Sequence, residues 1–512
     1  MQRIIDFAVK DKNTKGIVLL IENENSLEEI KPLFYLHHFE NVYIYSSKKE
    51  IIKAAKKIWK GISKEENFIM PELTLNVCDA DYMNISDELN DIDILFFDSS
   101  VPLKVIRAMT QYSPRVVIGR VWEAKDWAYS IWEYYRSISK KMCIQNIRKN
   151  RNIEVLHWEK RESDIELSIV FPVYKVEKYL DKCIESVTAW KAPYVEFLFV
   201  DDGSPDNSAK ILEEYQKNDK RIKIIHKENG GCASARKKGL EMAQGRYVGF
   251  FDPDDFVDES MYYKLLSRAM VGGYDIAYCG YNKYYENSNN VEKVTDAIFE
   301  PYSNGVCDEH LIKQLICAAR VAIWRGIYRK EFLNKNKISF YEDIRRFDDL
   351  PFKVETFAKA KSVVAVPEHL YYYRLERPGQ DVACDDERLY VHFSIFKHLD
   401  ESVGTSKDRK LIDYLQVVKA QTHLYAIEKI QKKYLKEYVR QMKADLKQDA
   451  GFYRTILLIR KHAEKKYVWP YIYCSKNMIG MLKRWLRTQE KNEKKVLKNN
   501  TKIMHELRSM YR

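Results

Sequence analysis

The chain has 512 residues, a net charge of +12, 46% hydrophobic and 13% aromatic content. That length exceeds what one hydrophobic core organises, so two or three domains are expected. Thirty-six tyrosines against eighteen glycines exclude a disordered or low-complexity chain.

The nine cysteines are scattered, odd in number and never spaced C-x-x-C. This disfavours both a disulfide framework and a zinc site and suits a reducing cytosol. The opening residues MQRIIDFAVKDKNTKG lack the apolar core and cleavage site of a secretory signal, and no run of 18 apolar residues follows. The expected location is cytoplasmic; if the protein works at a membrane, it sits peripherally on the inner face. Charge is unevenly placed. Residues 431–512 carry 22 Lys and Arg against 7 Asp and Glu, a net of +15, which leaves residues 1–430 at −3.

In chain order, residues 1–150 alternate apolar runs with helical patterns: GIVLLIE (16–22), NVYIYSS (41–47), DILFFDSS (93–100) and RVVIGRV (115–121), with a helix over 48–62. The alternation predicts a smaller, Rossmann-like accessory α/β domain with a mainly parallel sheet. No G-x-G-x-x-G follows its first strand, where Ile21 to Asn25 stand instead, so a structural or partner-docking role is favoured over a second active site. The polar stretch 147–164 reads as a linker or surface connection.

Alternation resumes in ELSIVFPVY (166–174), VEFLFVDD (195–202), IKIIHK (222–227) and RYVGFFDPDD (246–255), with helices near 177–190, 206–217 and 233–243. Four strands and three intervening helices predict a doubly wound sheet in a domain spanning 165–385. From about Asp386 the strand pattern stops, and a basic helical region runs over 386–512.

Open parallel sheets bind ligands at the carboxyl ends of their strands. Three predicted strands end there in polar clusters: Phe171-Pro172-Val173-Tyr174, Asp201-Asp202-Gly203-Ser204 and Asp252-Pro253-Asp254-Asp255. A proline and an aromatic can flank a nucleobase, and a carboxylate can accept from its N–H or from ribose hydroxyls. Further carboxylates can hold a hard divalent cation against a diphosphate. Alone, Asp-Asp-Gly-Ser is a ready turn and helix cap. Asp-Pro-Asp-Asp alone is a turn opening a helix near Glu259. Their order, each behind a buried strand and about 30 and 50 residues apart, is not what turns alone produce.

These segments resemble the family 2 glycosyltransferases of the GT-A fold, which implies a mixed α/β sheet. The resemblance rests on LSIVFPVYKVEKYLDKCIESV (167–187), VDDGSPDNS (200–208) and HKENGGCASARKKGLEMAQGRYVGFFDPDDF (226–256). VAIWRGIYRKEFL (321–333) and FDDLPF (347–352) match more loosely. It implies that Pro172, Val173 and Tyr174 wall the nucleobase and that Asp201 and Asp202 contact base and ribose. Arg236 would lie near the nucleotide, Asp252 near the ribose, and Asp254 on a Mn²⁺ or Mg²⁺ ion. The catalytic base would be Asp349, with Asp348 as helper or substitute. The reaction implied is inverting transfer from a nucleotide sugar, with UDP as carrier. Acceptors would be glycan, lipid-linked or protein hydroxyls in surface-glycan assembly.

The chain departs from the family pattern at Lys237, where Asn is common, at Asp348, where Glu is usual, and at Gln380, where Ser is frequent. His369 and Arg374 stand equally open to diphosphate contact and to packing. Trp324 and Trp190 read as core aromatics rather than sugar platforms, and Cys232 as a small residue tolerated beside Gly230-Gly231.

In the tail, Met478, Leu482 and Trp485, with Ile479 and Leu486, form an apolar stripe at helical spacing. Its basic surroundings leave open simple packing, an anionic membrane surface contacted through 431–512, and an anionic acceptor. No nucleic acid is expected, since no recognised binding motif accompanies the charge. Two rival functions are a nucleotidyltransferase, which normally needs a glycine-rich basic loop after its first strand, and a non-catalytic scaffold retaining the fold. Phe171 to Tyr174 offer no such loop, and intact Asp252, Asp254 and Asp349 argue against the scaffold.

Overall fold

The computed structural model describes residues 16–21, 27, 41–62, 72–77, 94–97, 116–120, 142–150, 153–160, 165–294, 302–303, 305–377, 384–446, 452–462, 467–476, 478 and 480–488. The chain divides into two units, Met1–Glu166 with Tyr262–Ala277, and Leu167–Met261 with Tyr278–Arg512.

The first unit holds a seven-stranded sheet. Its strands are β1 (Gly16–Leu20), β2 (Asn41–Ser46), β3 (Glu72–Val77), β4 (Ile94–Phe97), β5 (Val116–Arg120), β6 (Met142–Asn150) and β7 (Ile153–Lys160), in the order β3-β2-β1-β4-β5-β7-β6. The first five pair in parallel. The order 3-2-1-4-5 is that of the first five strands of the doubly wound 3-2-1-4-5-6 sheet. Helix α1 (Lys49–Ile62) follows β2, with Glu50 in its first turn and Lys60 in its last, as the helix dipole favours. Ile51 and Ala55 are buried, one turn apart. Two features depart from the expected pattern. Strand β3 begins on a glutamate and is too polar to stand out as an apolar run. The supposed linker at 147–164 instead supplies most of the antiparallel β6–β7 hairpin, because Ile153, Val155 and Trp158 sit among charged residues that mask their β propensity. Residues 22–26, where the glycine-rich loop was sought, lie outside the described residues.

The second unit is built on β8 (Leu167–Val173), β9 (Val195–Asp201), β10 (Ile222–His226) and β11 (Tyr247–Phe250). These are joined through α2 (Glu177–Thr188), α3 (Ser208–Asn218) and α4 (Cys232–Met242). Helix α5 (Met261–Gly272), whose residues from Tyr262 on fall in the first unit, stands in the chain between β12 (Phe256–Val257) and β13 (Ile276–Tyr285), and β14 (Asn290–Lys293), α6 (Glu309–Ala318), β15 (Gly326–Arg329) and α7 (Lys330–Lys335) follow. Helix α8 (Asp349–Lys359) and strand β16 (Val363–Leu375) complete the sheet region. The sheet order is β10-β9-β8-β11-β15-β13-β16-β12, with β14 paired to β13. Strands β8 to β11 are parallel, whereas β15 and β16 run antiparallel to β11 and β12. The sheet is therefore mixed.

Every residue of β9 is buried, Glu196 included. A carboxylate in that position needs its lone pairs filled. Ser168 Oγ donates at 2.5 Å, the Gln244 amide at 2.7 Å and Lys223 Nζ at 2.6 Å. Phe171 and Phe199 stack at 4.2 Å between ring centroids, fixing β8 against β9 beneath the site.

The remainder is helical: α9 (Val391–Leu399), α10 (Arg409–Lys429), α11 (Lys432–Leu446), α12 (Phe452–His462) and α13 (Val468–Ser475), with helical residues again over 480–488. These helices share a core that includes Leu424, Leu435, Tyr438, Met442, Ile459 and Leu482. Of the apolar stripe, Leu482 is fully buried and Trp485 and Leu486 pack against this core, while Met478 is exposed. Ile479 lies outside the described residues.

Candidate active site

Register places Val173 of β8 opposite Asp201 of β9, and Asp201 opposite His226 of β10. Three neighbouring strands thus end level, on one edge, with lateral spacings of about 4.8 Å. Val173 is buried, Pro172 half-buried, and Tyr174 is 42% exposed beyond the strand end. The buried Asp201 accepts from the Ser204 amide at 3.0 Å and lies 3.0 Å from His226 Nδ1.

Asp202 has a different task from its neighbour. Its carboxylate accepts from the amides of Gly230 (2.9 Å) and Gly231 (2.8 Å) and from Lys227 Nζ (2.6 Å). It therefore ties the end of β9 to the turn opening α4. Gly231 adopts φ +88° at that helix's N-cap, a conformation that suits glycine. From α4 the buried Arg236 reaches two carboxylates: Nη1 donates to Asp348 at 2.8 Å and Nη2 to Asp252 at 2.5 Å. One guanidinium joins the acidic turn after β11 to the start of α8, where Asp348 stands 112 residues beyond Arg236.

The turn Asp252-Pro253-Asp254-Asp255 is held from β16. Buried Asp255 accepts from Tyr371 Oη at 2.6 Å and from the Arg374 amide at 2.7 Å, and Arg374 Nε donates to the Asp254 carbonyl at 2.7 Å. The Arg374 guanidinium also pairs with Glu286, and Arg377 lies directly on the Asp254 carboxylate. Asp252 keeps a quarter of its side chain open to solvent, whereas Asp254 is buried. Burial pushes the Asp254 carboxyl up to about 6, opposed by Arg377 and reinforced by Asp252.

Asp348 occupies the N-cap of α8 but does not cap it, because its carboxylate is turned to Arg236. Asp349 is the first residue of α8 and half-buried. Burial and the adjacent Asp348 push its carboxyl up to about 7 against the pull of Arg236. Asp348 is engaged; Asp349 has no ionic partner among the described residues.

Of the two histidine and arginine candidates, His369 sits apart, with Nε2 3.0 Å from the Val294 carbonyl, and Arg374 braces the acidic turn. Trp324 is buried and stacks on Tyr371 and Tyr373. Trp190 meets Tyr194 edge-on. Cys232 is half-buried at the start of α4. Gln380 lies outside the described residues. Arg377, Asp255, Tyr371, His226 and Lys227 were missed as site residues. The only signal was their position, beside quoted motifs or within the YYYR strand.

The donor set suits a hard divalent ion. Two guanidinium groups, Arg236 and Arg377, pair with Asp252, Asp348 and Asp254, while Asp255 and Asp349 have no ionic partner among the described residues. Burial, with a smaller contribution from the neighbouring carboxylates, raises the Asp254 and Asp349 carboxyls. Among the described residues no three metal-ligating side chains converge. One or two carboxylates, with phosphate and water completing the shell, is a donor set that Mg²⁺-type ions accept.

Residues 168–338 match the family model for glycosyl transferase family 2. An uncharacterized glycosyltransferase of Bacillus subtilis, EpsJ, is 36% identical over 218 residues, 42% of this chain and 62% of that protein. The glycosyltransferase GlyG of Streptococcus pneumoniae serotype 4 is 30% identical over 220 residues, 41% of this chain and 70% of its own length. Among solved structures, residues 1–349 of S. aureus TarS in complex with UDP-GlcNAc share the fold. The TM-score is 0.52 at 18% identity, over 64% of this chain and 92% of that one.

The chain belongs to the family 2 glycosyltransferases. It spans about three-fifths of the length of EpsJ.

Proposed function

We propose that this protein transfers a sugar from a nucleotide diphosphate sugar, with UDP as the carrier, to an acceptor hydroxyl, inverting the anomeric centre. The acceptor class is a surface glycan such as capsule, lipopolysaccharide, teichoic acid or protein glycan. The observation that carries this reading is Asp349. It is a half-buried carboxylate without an ionic partner among the described residues, pushed up to about 7 by burial and by Asp348, at the helix start whose preceding residue is bridged to Asp252.

An acceptor hydroxyl is far too weak an acid to ionise at neutral pH. Asp349 takes its proton as the new C–O bond forms and the bond to the departing diphosphate breaks. A base matched to the working pH contributes roughly 10²–10⁴-fold. Asp348, held by Arg236, fixes the start of α8 and keeps the base in place. Arg236 also compensates the negative charge that gathers around Asp252. On the other side of the edge, Tyr174 and Pro172 flank the base, Asp201 accepts from it, and Asp202 keeps the turn before α4 in shape for the nucleotide. Asp254, with Asp252 nearer the ribose, would hold Mn²⁺ or Mg²⁺. Such an ion neutralises charge on the leaving diphosphate as a Lewis acid. The UDP-GlcNAc bound to TarS supports UDP as the carrier.

The basic face of the carboxyl-terminal helices is proposed to contact an anionic membrane surface at the inner leaflet, where lipid-linked acceptors would be met. No helix among the described residues is long and apolar enough to cross a membrane. Exposed Trp469, Met478 and Met481 stand near Lys483, Arg484 and Arg487 in the chain, the mixture that peripheral binding uses.

The test is a screen of UDP-sugars with Mn²⁺, reading UDP release with and without candidate acceptors. Release from one donor, stimulated by acceptor and abolished in Asp349→Asn, is expected. Full transfer by that variant would overturn the reading.

A further inference from the structure

The segment Tyr341–Phe347, which delivers Asp348 and Asp349, is fastened to the helical region at both of its ends. At one end the Tyr341 ring stacks on His398 of α9 at 4.0 Å, and Asp343 lies 2.8 Å from His398 Nε2. At the other, Phe347 packs against the helical core, its ring 5.2 Å from that of His392, also on α9. Between these points the segment crosses α4. Glu342 pairs with Lys237 at 2.6 Å, and a methyl group placed on Gly231 would meet Arg345 Cγ at 3.8 Å. The segment is thus a strap from the nucleotide-side helix to the helical region, with the two aspartates at its far end.

Phe347 itself has φ +55°, a backbone region that bulky side chains rarely adopt. Such a conformation persists only where the surroundings over-determine it. The surroundings here are specific. Buried His392 faces Tyr438 Oη at 3.1 Å, Tyr438 Oη faces His423 Nδ1 at 3.0 Å, and His423 Nε2 faces Asp445 at 2.8 Å. Burial lowers the His423 pKa, and with that ring neutral one proton order satisfies the chain: His423 Nε2–H donates to Asp445, Tyr438 O–H to His423, and His392 Nδ1–H to Tyr438. Lys419, fully buried, closes it with bonds to Asp400 (2.6 Å) and Asp445 (3.4 Å). Burial holds His392 neutral, its pKa lowered to about 3. The ring under Phe347 is therefore a fixed, neutral platform built from α9, α10 and α11.

We propose that Phe347, seated on the His392 platform, is a positioning residue for the catalytic base, and that the helical region serves transfer through this joint. The inference rests on the assignment of Asp349 as base. With the phenyl ring held, the left-handed backbone at Phe347 turns the chain so that its carbonyl accepts from the Leu350 amide at 3.1 Å. That turn presents Asp348 to Arg236 and leaves Asp349 facing the donor. Without the ring, the residue relaxes to an ordinary conformation and the aspartates rotate together.

The 512-residue chain tests this with Phe347→Ala, Phe347→Tyr and His392→Ala, reading UDP release from the UDP-sugar panel, Mn²⁺-dependent UDP binding, and amide hydrogen exchange across residues 341–350. Expected for Phe347→Ala is a fall in kcat of about 30-fold or more, with KM and UDP affinity within about threefold, and recovery of most activity in Phe347→Tyr. His392→Ala should speed exchange across 341–350 while leaving that of α2 and α3 unchanged. Unchanged exchange across 341–350 in both alanine variants, or kcat within twofold of the parent in Phe347→Ala, overturns the inference. Should Asp349→Asn keep full transfer, the base assignment fails instead, and the exchange measurement still decides whether the platform orders the strap.

Discussion

Arg236 reaches Asp348 across 2.8 Å with both groups buried, so two segments 112 residues apart meet at a single guanidinium. The same side chain holds Asp252 through its other terminal nitrogen. The planar fork of arginine permits both bonds at once; the ammonium of lysine, a point charge, does not reproduce that spacing. Arg236→Lys should therefore lower kcat by about a hundredfold, and Arg236→Ala should also destabilise the fold by about 3–5 kcal/mol by leaving buried carboxylates uncompensated. Denaturant unfolding alongside UDP release checks both statements. An Arg236→Lys enzyme with wild-type kcat would show that the bridge is only structural.

Asp349 and Asp348 should separate by pH. In the role proposed for it Asp349 must be ionised, so kcat should fall tenfold per pH unit below about pH 7, and Asp349→Asn should lose transfer while retaining Mn²⁺-dependent UDP binding. Stability should move the other way. The native carboxyl keeps its proton up to about 7, whereas an unfolded aspartate releases it near its ordinary value of 3.8. The folded state binds the extra proton between these values, so stability falls as pH rises through that window. Asparagine mimics the protonated form. Asp349→Asn should thus melt higher than the parent at pH 8 and at nearly the same temperature at pH 4. A lower melting temperature at pH 8 would contradict the raised pKa.

Arg377 lies directly on the Asp254 carboxylate, so a cation held there under the proposed function would compete with its guanidinium. Asp254→Asn should abolish the Mn²⁺ dependence of UDP binding. Arg377→Ala should tighten Mn²⁺ binding in the absence of nucleotide, because the ion no longer competes with a guanidinium. Isothermal titration with Mn²⁺ alone and then with UDP reads both. Weaker Mn²⁺ binding in Arg377→Ala would assign that arginine to supporting the ion rather than standing in for it.

The strand ends were legible because a buried run that stops at Asp-Asp has few structural reasons to do so. Val173 and Asp201 end level, and the carboxylates that follow β9 and β11 lie on that edge. What those side chains touch was not legible. Asp202 looks like a ligand-facing partner of Asp201, but its lone pairs go to Gly230, Gly231 and Lys227, a turn that closes only once α4 packs. Arg377 and Tyr371 reach the acidic turn because β16 returns beside β12, a non-local pairing that no local pattern encodes. Phe347 carries no sequence mark of its positive φ. The β6–β7 hairpin was hidden by charge, and β3 by its polar alternation.

Gly239 tests how tightly the nucleotide-side helix must sit. A methyl group there would collide with Val170 Cγ1, so α4 cannot approach β8 this closely with any side chain at that position. Gly239→Ala should cost about 1–3 kcal/mol by overpacking. It should also lower UDP affinity, since Arg236 and the Gly230-Gly231 turn ride on the same helix. Urea unfolding and UDP titration measure the two effects, and unchanged stability would mean that the helix slides without penalty.

The basic carboxyl-terminal helices decide between packing and docking. Removing 431–512 outright would delete α11 and much of the helical core, including Tyr438 and Met442, so a truncated chain reports on folding rather than on lipid. Surface charges are the cleaner probe. Lys483, Arg484 and Arg487 are exposed or half-exposed on the helical segment whose other face, Leu482 with Trp485, is packed. Basic residues near an anionic surface contribute about 1 kcal/mol each. Changing these three to glutamine should therefore weaken binding to anionic liposomes by about a hundredfold, leave binding to zwitterionic liposomes unchanged, and spare UDP release from soluble donor. Flotation assays read the first two. Equal flotation of parent and variant would confine the basic face to a solvated surface, with the stripe at Leu482 serving the helical core alone.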